Sequence, residues 1–138
     1  FELYDGIYTT GSIGDWMEEQ AVVIDQRELG INVLVGCSHP TLKALVEKAQ
    51  EVTGNRKVRG IMGGFHFPDM SESEIIEETK WMHDLNLEYL APGHCTTANG
   101  CMILERELGE IVHISKTKTF GAGNSVELDP ELKFNFVM

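Results

Sequence analysis

One hydrophobic pattern recurs three times along the chain. Largely apolar runs at Ile31–Val35, residues 58–62 and residues 87–91 each give way to glycine and then histidine. The glycines are Gly36, Gly63, Gly64 and Gly93; the histidines are His39, His66 and His94. Short apolar runs that end in glycine predict buried strands, and strand-then-helix units predict a parallel or mixed sheet. After the first run, Leu42, Leu45, Val46 and Ala49 keep helical spacing, Pro40 suits the helix entry, and Gly54 ends it. After the second, Ser71 and Glu74 form a capping-box pair, with Ile75, Ile76, Thr79, Met82 and Leu85 facing inward. After the third, Thr96 or Thr97 caps a helix that buries Cys101, Leu104 and Leu108 and stops at Gly109. Upstream, residues 3–10 and 19–25 read as strands, the second folding back on Ile31–Val35 through a turn at residues 27–30. Residues 111–115 and 120–128 read as closing strands, and the pattern assigns no element to residues 132–137. Nothing marks a linker, so residues 1–138 are expected to form one α/β domain.

In open α/β sheets, sites lie at the carboxyl ends of the strands. The pattern therefore brings His39, His66 and His94 to one edge. A single histidine there is ordinarily structural, whereas three in the same context suit a divalent metal. His83 in the second helix and His113 in a late strand are read as structural. Cys37 and Cys95 adjoin the site histidines and could supply thiolate ligands, but they lack the paired spacing of a structural zinc site, which favours reading them as small buried residues. Thr96 and Thr97 open a helix beside His94, where amides and hydroxyls can hold an anionic group of a substrate. Ser38-His39 lacks a nucleophile elbow, and Gly121-Ala122-Gly123 follows no early strand–helix unit, so neither motif is pursued.

Charge narrows the partners. The 138 residues carry 11 Lys and Arg against 22 Asp and Glu, a net charge of −11. That opposes binding to nucleic acid or an anionic membrane surface, though not an anionic small molecule drawn to a bound metal. Three cysteines, an odd number in an α/β pattern, point to reduced thiols and a cytoplasmic protein. No signal peptide is visible, and no apolar run approaches the ~20 residues of a membrane span.

Val35-Gly36-Cys37-Ser38-His39, Gly63-Gly64-Phe65-His66 and Pro92-Gly93-His94-Cys95-Thr96 resemble the later motifs of the metallo-β-lactamase fold superfamily. Within it they are most similar to the dihydropterin-methyl-ribofuranosyl-aminobenzene-phosphate synthase-like metal-dependent hydrolases. The resemblance runs from about residue 3 to residue 126. It implies a four-layer αββα sandwich with a dinuclear site between two sheets. It places His39 at the third metal motif, His66 where many members carry a bridging aspartate, and His94 at the last motif. The implied cofactor is a divalent metal, zinc first and manganese or iron next. The implied reaction is attack of metal-bound hydroxide on a phosphoester or related small molecule. Two features depart from the family. The opening His-x-His-x-Asp-His motif does not occur, and Thr97 stands where this branch carries glycine. The chain is thus expected to be the C-terminal half of a longer protein, inactive alone and packed against its N-terminal half or a second copy. The alternative is a non-catalytic domain that binds metal or a partner through the same edge.

Overall fold

The computed structural model describes residues 1–115 and 119–137. Among these, six strands form one mixed sheet in sequence order: β1 (Glu2–Tyr4), β2 (Ile7–Thr9), β3 (Val22–Asp25), β4 (Ile31–Val35), β5 (Val58–Gly63) and β6 (Tyr89–Pro92). The pairs from β1 to β4 are antiparallel; β4, β5 and β6 are parallel. Helix α1 (Leu42–Thr53) links β4 to β5, and α2 (Glu72–Asp84) links β5 to β6. Both crossovers step in the same direction, so the right-handed rule puts both helices on one face. The core forms there: Val23, Val33, Ile61 and Leu90 from the sheet pack with Leu45, Val46, Ile75, Met82 and Leu104 from the helices. Leu104 lies on α3 (Ala98–Leu108), which follows β6 and packs beside α2.

Local chemistry sets the helix ends. Thr41 caps α1, and Gly54 closes it in the left-handed conformation. Ser71 and Glu74 make the reciprocal capping box of α2. Thr97, not Thr96, caps α3, its hydroxyl accepting the Gly100 amide at 3.0 Å.

Three expectations are corrected. Residues 3–10 are not one strand: the left-handed Gly6 breaks them into the hairpin β1–β2. Residues 111–115 do not form a strand; a 3-10 turn ends at Ile111 and a single bridge joins Val112 to Leu90. Residues 120–128 contribute only β7 (Ser125–Glu127), which pairs with β8 (Lys133–Asn135) from the unassigned tail.

The sheet face away from the helices is polar at its centre. Tyr89 lies flat over Gly60, where any Cβ would overlap its ring, and its hydroxyl donates to Asn32 Oδ1 at 3.0 Å. Phe134 of β8 packs edge-on against Tyr89 and stacks on His113 at 3.7 Å. Beyond this cover, Leu3, Tyr4 and Val22 remain exposed.

Candidate metal centre

The carboxyl ends of β4, β5 and β6 open into three loops that interlock through backbone hydrogen bonds. The Gly64 amide donates to Gly36 O at 2.9 Å, and Gly93 N to Gly63 O at 2.6 Å. Ser38 Oγ donates to Gly64 O at 2.7 Å. The close approach needs glycine at residue 64: a Cβ there would overlap Cys95 Sγ and lie 2.8 Å from Gly36 O and 3.0 Å from His94 Cε1. Of the six described non-glycine residues with positive φ, four surround this edge: Ser38, Thr41, His66 and Thr97. Backbone held in such sparsely populated regions collects at functional sites.

The structure brings the three histidines to this edge in two groups. The His39 and His66 rings are in contact, their centroids 4.4 Å apart and tilted by 54°. His94 turns toward Cys37, with Nε2 3.0 Å from Sγ. Cys37 joins the groups, since its Sγ clusters with His94 and Cys95 on one side and with His39 and Glu19 on the other. Within each cluster the candidate donor atoms lie within 4.8 Å of one another. His66 lies outside both clusters but touches them: its ring meets His39, and its amide donates to Cys95 Sγ at 3.3 Å.

Glu19 was not anticipated. It accepts hydrogen bonds from the amides of Ser38 at 2.8 Å and His39 at 3.4 Å, and pairs with His39 Nδ1. Burial alone would raise the Glu19 carboxyl; the hydrogen bonds from the His39 ring and the two amides outweigh it and hold the group below its ordinary range. A carboxylate at Nδ1 fixes the ring so that Nε2 is free to meet a metal, the usual partnership of ligating histidines. Topology held the available signal. β3 runs antiparallel to β4, so residues just before β3 arrive at the edge that β4 leaves.

Thr96 is fully buried, and its hydroxyl accepts the Phe65 amide at 3.1 Å. This bond ties the β5 and β6 loops together. His83 is exposed on α2, and His113 lies under Phe134 at the far end of β6. Burial lowers the His113 imidazole. Two hollows flank His39: one is walled by Ile13, Trp16, Met17 and Pro40, the other by Phe65, Phe67 and Met70. Trp16 is 80% exposed and meets the His39 ring edge-on at 6.2 Å. The donors suit a metal in kind: imidazoles and thiols around a glycine cradle are the set that zinc-like ions use.

Comparison with known proteins bears on the fold. No protein-family model matches the chain. The chain is similar to a 7,8-dihydropterin-6-methyl-4-(beta-D-ribofuranosyl)-aminobenzene-5'-phosphate synthase of Methanocaldococcus jannaschii, with 29% identity over 119 residues covering 68% of this chain. Its fold matches the crystal structure of Tm1679, described as a metal-dependent hydrolase of the β-lactamase superfamily. The TM-score is 0.70 and the identity 21%, over 85% of this chain. The chain spans 40% of the length of the first protein and 53% of the second. The resemblance of the chain to this fold superfamily is thereby supported.

Proposed function

Since the chain carries the metallo-β-lactamase fold, we propose that it is the C-terminal half of a metal-dependent hydrolase acting on a small phosphoester or related substrate in the cytoplasm. The arrival of His39, His66 and His94 at one strained edge carries this reading. In it these histidines hold a divalent metal, and Glu19 orients His39. When bound, the metal supplies a water of lowered pKa and a positive field for an anionic group. The chain's own residues do the rest. The interlocked loops hold the imidazoles in place, and the apolar walls around Trp16 and Phe65 take the organic part of the substrate. In this reading the buried Thr96 hydroxyl, which accepts the Phe65 amide, keeps the β6 loop seated.

The N-terminal half, or a second copy, covers the exposed Leu3, Tyr4 and Val22 and adds the missing ligands. The test is hydrolysis of bis-nitrophenyl phosphate with zinc or manganese. The isolated chain should be inactive, and adding the N-terminal half should give turnover. His94→Ala should then abolish most of that turnover, and the exposed His83→Ala should leave it unchanged. Substantial activity from the isolated chain would overturn the half-enzyme reading; full activity of reconstituted His94→Ala would overturn the metal assignment.

A further inference from the structure

We propose that Cys37, Cys95 and His94 form a thiolate-rich subsite for a thiophilic divalent ion, with both cysteines as ligands. The three donor atoms come from two loops that are far apart in sequence, yet all lie within 4.8 Å of one another. Cys37 Sγ sits 3.0 Å from His94 Nε2. Cys95 Sγ is aimed into the same space, 3.5 Å from Cys37 O and 3.3 Å from the His66 amide. Gly64 forms the floor. A side chain there would drive Cys95 Sγ out and crowd His94 Cε1, so the cradle exists because residue 64 has no Cβ. The cysteines are half-buried and His94 is exposed, so an ion can enter and keep an open position. Three protein ligands with a fourth position open is the arrangement of catalytic zinc, whereas structural zinc is closed by four.

Both thiols lie in contact with the edge chemistry, unlike Cys101, which is buried in α3. Binding replaces the proton of each thiol by the ion, and the two protons go to solvent. Thiolates prefer zinc or cobalt over magnesium or manganese, so the subsite selects the metal. It rests on the reading that this edge holds metal, and of the three histidines it uses only His94.

Cobalt(II) titration of the purified protein tests it, because thiolate ligation gives a charge-transfer absorption in the near ultraviolet that imidazole and carboxylate do not. The wild type should show this band. Cys37→Ser and Cys95→Ser should each lose about half of its intensity and weaken zinc at least ~10-fold. Cys101→Ser should leave it unchanged, and circular dichroism should show all variants folded. Cobalt bound without the band, or a band that survives the double Cys37→Ser, Cys95→Ser substitution, overturns the thiolate ligands and leaves the histidine reading standing. Failure to bind cobalt at all overturns both.

Discussion

The two ends of β5 treat polar groups in opposite ways. At the amino end, Arg59 is fully buried inside an otherwise apolar strand and finds a partner for every N–H it owns. Nε donates to Glu88 at 2.9 Å, Nη1 to Gln26 Oε1 at 2.7 Å and Leu128 O at 3.0 Å, and Nη2 to Asp129 O at 3.1 Å and Pro130 O at 2.9 Å. At the carboxyl end, His66 takes a left-handed backbone, its ring leans on another imidazole, and thiols gather without a disulfide. One end closes every valence and holds the chain's tail; the other keeps donors available. The contrast separates residues that serve stability from residues that serve a ligand.

The largest effect should come from Arg59→Met. It removes five hydrogen bonds and leaves the carbonyls of Asp129 and Pro130 without the Arg59 donor, while Leu128 O keeps the Gln26 side-chain amide. Glu88 is 42% exposed and returns to solvent at little cost, so the loss lies with the tail. We expect about 3 kcal/mol of destabilisation in urea unfolding, with faster proteolysis beyond residue 127. Metal affinity should stay within about twofold, since additivity holds between distant sites. A variant that unfolds no more easily than wild type would dissolve the contrast from the stability side.

Gly60→Ala tests the same end through packing. The new Cβ overlaps the Tyr89 ring, which must leave Asn32 and Phe134. Overpacking of this kind costs about 2 kcal/mol, against about 1 kcal/mol for Tyr89→Phe, which loses only the hydroxyl bond. Equal losses in the two variants would mean that the ring moves aside freely.

What the sequence displayed and what it hid follow the same division between local and distant causes. β4 was legible to the residue because five consecutive positions are strand-like and glycine stops them. The α2 cap was legible because Ser71 and Glu74 lie within one turn. His39, His66 and His94 were legible as one edge because each follows its own strand. Glu19 was hidden, since its partner is 20 residues away and is reached only through an antiparallel turn. The role of Arg59 was hidden because its five acceptors come from other segments. β8 was hidden because Phe134 is placed by Tyr89 and His113, not by its neighbours in sequence. Cys37 and Cys95 were read as small buried residues because their spacing matches no paired motif, although the fold gathers both thiols within 4.8 Å of a His94 ring nitrogen.

At the carboxyl end, Glu19→Gln should act on metal rather than on the fold. The amide keeps an acceptor for Ser38 N, but the charge that steadies the His39 ring is gone. Partners of this kind tune metal affinity by about 10- to 100-fold. Isothermal titration with zinc should show a loss in that range, with the urea midpoint nearly unchanged. Unaltered zinc affinity would return Glu19 to the fold and leave His39 without an orienting group.

The smallest effect should be a gain. Thr97 holds φ 65° and ψ 155°, a region that side chains other than glycine occupy at a cost of about 1–3 kcal/mol. Its compensation is the cap to Gly100 N at 3.0 Å. Replacing a capping side chain by glycine costs only a few tenths of a kcal/mol, whereas alanine costs about 1 kcal/mol. Thr97→Gly therefore relieves more than it loses and should stabilise the chain by about 1 kcal/mol. Thr97→Ala keeps the strained backbone, discards the cap and should destabilise it by a similar amount. Paired urea unfolding of the two variants reads the difference of sign. If both variants lose stability, Thr97 contributes through its side chain alone, and the backbone strain at this edge is relaxed at no cost.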